Sequence, residues 1–197
     1  DYIADLKTRY AEIKNIPAAT ITFGAFKPDM QIAKDNAAKF EPLLDKRSLS
    51  LVYIGRGGAD MYKAVAKLFR SLKKGLEKEP QKFKKVRVYF IGTSYAPAGQ
   101  AKQTIMPVAE EFGVYNMVTE ITDRISYFHT LATLQQADAL FIPGSDDRRY
   151  TASKIYPYLL TEKPLLTIFH PESPAIEVLK EFGLEHVYNF ENSAEPD

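Results

Sequence analysis

Residues 143–160 gather Gly144, the aliphatic hydroxyls of Ser145, Thr151 and Ser153, and the cations Arg148, Arg149 and Lys154. An apolar, strand-like run precedes the stretch and an amphipathic, helix-like one follows it. Hydroxyls, free backbone N–H groups and positive charge at a helix N-terminus together suit an anion. The plainer reading is a surface loop capped by Thr151 or Ser153. Asp146 and Asp147 offer too few oxygens for a hard cation, and the two arginines directly behind them are expected to neutralise them. No metal is expected.

A second group with the same chemistry is Gly55, Arg56, Gly57 and Gly58. Glycines let a backbone approach a ligand closely and turn N–H groups toward a phosphate. The spacing matches neither a dinucleotide fingerprint nor a phosphate-binding P-loop, so a plain strand-to-helix turn stands beside the phosphate reading. Arg56, directly after a strand, is the arginine best placed for a bidentate phosphate contact; Lys63, one turn on, is either an assistant or solvated. Thr93 and Ser94 are placed to meet a ligand, and Tyr95 to stack on a base, in what is otherwise a turn-rich loop. Of the histidines, His129 lies within a predicted helix and reads as structural. His170 sits just past a strand and could face a cleft, and His186 offers no metal spacing with either. No catalytic triad or paired-carboxylate layout can be picked out.

The elements that must position these residues are legible as alternating apolar runs. Strands are predicted over 49–54, 86–91, 116–121, 139–142 and 164–169, with a last short one over 185–188. Helices are predicted from 60, capped by Asp60, to about 76, over 100–112, 125–136, from near Tyr156 to 160, and over 174–182. Pro157 belongs in a helix's first turn, which leaves Ser153 and Lys154 as a loose turn. Such alternation implies right-handed βαβ units, hence an α/β, doubly wound, mostly parallel Rossmann-like sheet. In such sheets ligands bind beyond the carboxyl ends of the strands, which selects the loops 55–60, 92–99, 120–124 and 144–154. Residues 1–47 read as a separate leading segment with a helix over 2–14, a strand over 19–23 and a weak helix from 29 to about 40. Residues 48–190 form the Rossmann-like domain and 191–197 a tail.

The 197 residues carry 26 lysines and arginines against 25 aspartates and glutamates, a net charge of +1. This balance points to no field dedicated to nucleic acid or an anionic membrane. Lysine crowding at Lys73, Lys74, Lys78, Lys82, Lys84 and Lys85 is expected to be a solvated helix end and loop. The absence of cysteine excludes disulfides, thiolate metal sites and a cysteine nucleophile, and fits the cytoplasm. No run is long and apolar enough for a membrane span. The chain opens on Asp1 in what reads as mid-helix, as expected of a piece of a longer protein.

Several strings carry a resemblance: Tyr53 to Gly58, Phe90 to Thr93, Ala137 to Ser145, and above all Ser153 to Leu159 followed by Lys163 to Leu166. Residues 49–183 thereby resemble the nucleotide-sugar-binding, C-terminal half of GT-B-fold retaining glycosyltransferases of the group 1 family. The resemblance implies that Gly57 and Gly58 flank the donor diphosphate, that Arg56 and Lys154 pair with it, and that Ser153 or Thr151 hydrogen-bonds it. Residues around Ile121 to Arg124 would meet the base, with Thr93, Ser94 and Ser145 as further base or sugar contacts. It implies a nucleotide-diphosphate sugar as substrate, no cofactor, and an acceptor held mainly by a missing N-terminal domain. The acceptor by analogy is a cell-surface polysaccharide or glycolipid. Two glutamates common in the family fall here at Arg149 and Pro157, so ribose recognition must differ. A nucleotide-sugar epimerase and a non-catalytic nucleotide-binding domain are the alternatives.

Overall fold

The computed structural model describes residues 2–19, 21, 24–150, 152–184 and 187–191. Six strands, β1 (Leu49–Ile54), β2 (Val86–Ile91), β3 (Val118–Ile121), β4 (Ala139–Pro143), β5 (Leu165–Phe169) and β6 (Val187–Asn189), form one sheet. All their pairings are parallel and the order is β3-β2-β1-β4-β5-β6. This is the doubly wound arrangement, with its reversal of strand order between β1 and β4.

Alternate residues of each strand point to opposite faces, and the core divides accordingly. On one face Tyr53, Val88, Phe90 and Phe141 pack against α3 (Tyr62–Lys78) and α5 (Met106–Glu111). On the other, Val52, Ile54, Ile91, Leu140 and Ile142 pack against α6 (Tyr127–Gln136), α7 (Ile155–Leu159) and α8 (Pro174–Glu181). A four-residue helix, α4 (Pro80–Phe83), follows α3. In the leading segment, α1 (Tyr2–Arg9) is followed by a 3-10 turn over Ala11–Ile13. There α2 (Lys27–Asp35) buries Met30 and Ala33 against Leu131 and Ala132 of α6. Of the strand expected over 19–23, Thr20, Thr22 and Phe23 lie outside the described residues, and Ala19 and Ile21 are not in a strand.

The helix expected over 100–112 begins only at Met106. Pro107 explains the difference: proline fits a first turn but not a helix interior. The buried Glu120 carboxylate fixes that start by accepting the N–H groups of Thr104, Ile105 and Met106, each at 3.0 Å. The third strand is likewise shorter than predicted, because Tyr115–Met117 form a 3-10 turn. Ser126 caps α6, accepting the His129 N–H at 3.3 Å, so that helix starts two residues later than expected.

The β1–β4 pair is clamped at its amino end and opened at its carboxyl end. Asp138 accepts the Ser50 N–H and hydroxyl at 2.8 and 2.9 Å. Register then runs through Leu51↔Ala139 and Val52↔Leu140 and stops, although both strands continue. The buried hydroxyl of Tyr158, from α7, fills the gap: it accepts the Ile54 N–H at 2.8 Å and lies 3.3 Å from the Ile54 carbonyl as donor. Two backbone groups orphaned by strand divergence are thereby satisfied. Tyr158→Phe is expected to lower stability by about 1–3 kcal/mol, the cost of leaving them unpaired, measured as a lower urea midpoint with an unchanged slope.

Candidate functional site

The crevice between the diverging ends of β1 and β4 is where a doubly wound sheet offers a ligand site. Lys154, in the turn before α7, projects into it. Its ammonium donates to the Tyr53 hydroxyl at 2.8 Å and lies 4.5 Å from the centre of that ring. The Tyr53 hydroxyl in turn donates to the Arg56 carbonyl at 2.9 Å. Gly55 makes this possible, because a side chain there would collide with the Lys154 ammonium. Burial, then the nearby Arg56 and Arg124 guanidinium groups, push the Lys154 pKa down to about 8. Tyr53 is fully buried and its pKa is driven well up by that burial, so it stays neutral. Among the described residues no carboxylate forms an ion pair with Lys154. The result is an ammonium held by a neutral partner beside two further cations, an arrangement that an entering anion relieves.

Arg56 is already engaged. Its two terminal nitrogens meet the Asp60 carboxylate at 2.7 and 2.6 Å, four residues on, and this pairing holds the Asp60 pKa down to about 2. Asp60 therefore does not cap α3, whose N-terminus carries no side-chain cap. The Asp60 carbonyl accepts the Asp146 N–H at 2.7 Å, tying the loop after β1 to the loop after β4. The pair lies across Gly58, where a Cβ would come within 2.6 Å of the carboxylate and 2.8 Å of the guanidinium.

The glycine loop thus departs from the expected phosphate nest. The N–H groups of Gly55 and Gly57 donate to the Ile91 and Thr93 carbonyls, both at 2.8 Å, extending the β1–β2 ladder. Several other candidates are likewise committed. Thr93 is buried and donates its hydroxyl to Glu120 at 2.7 Å. Ser145 is buried and accepts the Asp147 N–H at 3.1 Å. The Ile121 side chain packs into the core and its carbonyl accepts the Gly92 N–H, Gly92 holding the left-handed φ of 72° that this turn requires. Ser94 is half-buried and its hydroxyl accepts the Ala96 N–H at 3.0 Å.

What remains open to a ligand is Lys154, the exposed Ser153, and the pair formed by Arg124 and the exposed Tyr95, whose ring centre lies 4.6 Å from the guanidinium. Thr151 lies outside the described residues. Five residues long, α7 carries little helix dipole, so the positive potential here comes from side chains.

Of the two arginines expected to neutralise Asp146 and Asp147, Arg148 reaches Glu172 at 3.4 Å and Arg149 reaches Asp5 at 4.0 Å, while the Arg149 N–H donates to the Asp147 carboxylate at 2.9 Å. Lys63 leans over the Phe190 ring. His129 is structural, stacked on Phe40 and bonded to the Glu41 carbonyl at 2.9 Å. The His170 Nδ1 accepts the Glu172 N–H at 3.0 Å and its ring meets Phe190 edge-on, while His186 lies outside the described residues. Among the described residues no cluster of His, Asp or Glu could hold a metal ion.

Sequence reasoning missed Tyr53, Asp60 and Glu120. The i, i+4 spacing of Arg56 and Asp60 was a legible signal for their pairing. A lone glutamate in an apolar strand was a signal for Glu120, since a buried charge demands partners.

These features define a doubly wound α/β domain with a cationic crevice at its topological switch point. No protein-family model matches the chain, and no curated protein matches it in sequence. Among solved structures, a UDP-forming α,α-trehalose-phosphate synthase from Burkholderia xenovorans in complex with glucose-6-phosphate is similar at TM-score 0.58. That match has 15% identity and covers 86% of this chain and 40% of that one. A trehalose-6-phosphate structure from E. coli bound with UDP-2-fluoro glucose gives TM-score 0.53 and 16% identity, over 80% and 38%. The N-terminal domain of a Candida albicans trehalose-6-phosphate phosphatase gives 0.50 and 16%, over 83% and 34%. The chain therefore spans about two-fifths or less of the length of these proteins and shares with them its Rossmann-like fold, the fold of one GT-B half.

Lys154 would give anion binding in this crevice a pH dependence. It is charged below about pH 8 and neutral above, so affinity for a nucleoside diphosphate should be flat near pH 7 and fall through pH 8 to 9. The phosphate charge is constant across that window, its last ionisation lying near pH 6, and ADP, whose base has no proton to lose there, is the ligand for the measurement. Titration calorimetry from pH 7 to 9.5 reads this directly, with proton uptake on binding near pH 8.

Proposed function

We propose that this chain is the nucleotide-sugar-binding half of a glycosyltransferase. In the whole protein it would present a nucleotide-diphosphate sugar to an acceptor held by a second domain. The observation that carries this reading is the Lys154 ammonium, which has no anionic partner among the described residues and sits at the switch point of a fold shared with UDP-forming synthases. In sugar transfer the leaving nucleoside diphosphate gains negative charge as the glycosidic bond breaks, and fixed cations stabilise that charge where it develops. Lys154 is the group for this role, and Ser153 is close enough in sequence to hydrogen-bond the same phosphate. Tyr95 and Arg124, on the neighbouring loops, form a flat exposed pair on which a base can stack. Transfer with retention, a polysaccharide or glycolipid acceptor and a cytoplasmic setting extend the reading by family resemblance. The isolated chain would bind donor weakly and transfer little, because the acceptor must be supplied from elsewhere.

A second reading, a non-catalytic nucleotide-binding domain, draws support from the Arg56–Asp60 pair. A guanidinium whose two terminal nitrogens already face a carboxylate offers a phosphate less than a free one does. The epimerase reading weakens, because the His170 Nδ1 is occupied by a backbone donor.

Calorimetry with UDP, GDP and ADP tests the donor site. One of the three is expected to bind at micromolar to millimolar concentration. Lys154→Ala should weaken it about tenfold, the worth of one charged hydrogen bond, and Arg56→Ala should weaken it less. Failure of all three ligands at millimolar concentration, or unchanged binding by both variants, would overturn the assignment. Turnover by the full-length protein with a panel of nucleotide-sugars separates a transferase from a silent binding domain.

A further inference from the structure

Residues 70–87 hold eight lysines and arginines against two glutamates, a local charge of +6 in a chain whose total is +1. The fold gathers these charges at one end of the molecule. Because β1 and β2 are parallel, α3 must return from the crevice to the start of β2, so its last turns lie at the amino ends of the strands. Arg70, Lys73, Lys74 and Lys78 are exposed on it at helical spacing, while Leu68, Phe69 and Leu72 are buried on its inner side. The short α4 then folds back onto α3. Its Phe83 ring lies so close to Gly75 that no side chain could be accommodated there. This packing sets the exposed Lys82, Lys84 and Lys85 alongside the end of α3.

The two arginines of the patch are committed within the fold. Arg87 donates to the Lys84 and Val86 carbonyls at 3.0 and 2.8 Å, and the Arg70 guanidinium lies 5.6 Å from the Phe112 ring centre. The outward charge is therefore carried by lysines, compact and strongly hydrated, which follow a charged surface without reading its shape. Of the aromatic side chains that meet the patch, Phe83 is half-buried on Gly75 and Phe112 is half-buried against Arg70, so neither presents a free face for stacking bases. An apolar group does border it: Leu49, 52% exposed, pairs in register with Val86 and donates its N–H to the Lys85 carbonyl.

From this geometry we propose that the amino-end surface of the sheet docks on an anionic phospholipid bilayer, with Lys73, Lys78, Lys82, Lys84 and Lys85 facing the headgroups. Charge complementarity supplies the attraction, as it does for other clusters of four to eight cations beside a membrane. Pairing of Lys82 with Glu79 does not cancel it, because an exposed ion pair is weak and exchangeable. The switch-point crevice lies at the opposite end of the strands, so a docked molecule keeps it open to soluble ligands. No helix of the described residues is long and apolar enough to cross a membrane, and the contact is one of surface charge.

Co-sedimentation of the purified chain with vesicles tests the proposal. Binding is expected to vesicles of phosphatidylglycerol and phosphatidylcholine in equal parts, to be lost at high salt, and to be absent with phosphatidylcholine alone. Replacing Lys78, Lys82 and Lys85 together by glutamine should weaken it about a hundredfold, at roughly fivefold per lysine. Replacing Lys27, Lys34 and Lys39 removes the same net charge from the leading segment and should leave binding as it was; thermal midpoints confirm that both variants fold. Absence of binding to the mixed vesicles at low salt would overturn the proposal. So would equal losses in the two triple variants, or capture of nucleic acid in place of vesicles.

Discussion

The divergence of β1 from β4 is the constraint from which the rest of the site follows. A doubly wound sheet reverses its strand order at one point, and there two neighbouring strands lead to loops that go opposite ways. In this chain the pairing ends at Val52↔Leu140, which strands the N–H and C=O of Ile54 in a dry interior. Unpaired buried backbone groups are costly, and the Tyr158 hydroxyl answers both. That requirement fixes α7 against the strand ends. The Tyr158 N–H is bonded in turn to the Lys154 carbonyl, four residues earlier, so the side chain that completes the sheet and the one that enters the crevice occupy neighbouring positions on one turn. Structural need and chemical capacity share a few residues.

The same economy governs the charges. Three cations converge on the crevice and their mutual repulsion contributes to the lowered Lys154 pKa. Asp60 offsets part of that repulsion through Arg56 and binds the two loops together through its carbonyl and the Asp146 N–H, whereas Lys154, among the described residues, has the neutral Tyr53 for a partner. The glycines of the loop serve this arrangement: Gly55 leaves room for the ammonium and Gly58 for the Arg56–Asp60 pair. Their absent side chains are accounted for by charged neighbours within the protein, so a glycine-rich loop is weak evidence for a bound phosphate unless its N–H groups are also free.

Much of the fold was legible because apolar runs of strand length leave little choice in a chain that alternates them with amphipathic segments. The buried strands of the sheet, the long α3 and the short turn-like entry to α7 all followed from local pattern. Errors arose where a distant partner decides. The start of α5 depends on Glu120 and Pro107 rather than on periodicity, and the short third strand on a 3-10 turn that hydropathy does not encode. Within the site, Lys154 was legible by residue type and position, but its environment was not: Tyr53 lies 101 residues away in sequence. Arg56 shows the converse. It stood where a phosphate contact was expected, yet a carboxylate one helical turn on had already engaged it.

A proline at the third position of α7 removes an N–H that the first turn does not use, so the helix tolerates it. With only five residues and no side-chain cap, this helix end has little dipole to offer an anion. In sheets of this class a helix N-terminus commonly supplies part of the anion's positive partner, a field insensitive to pH. Here the burden shifts to one ammonium held close to its point of deprotonation by burial and like charge. The positive field of the crevice therefore rests on side chains, and its pH-dependent part on Lys154, whose pKa burial and the Arg56 and Arg124 guanidinium groups lower and an entering anion would raise.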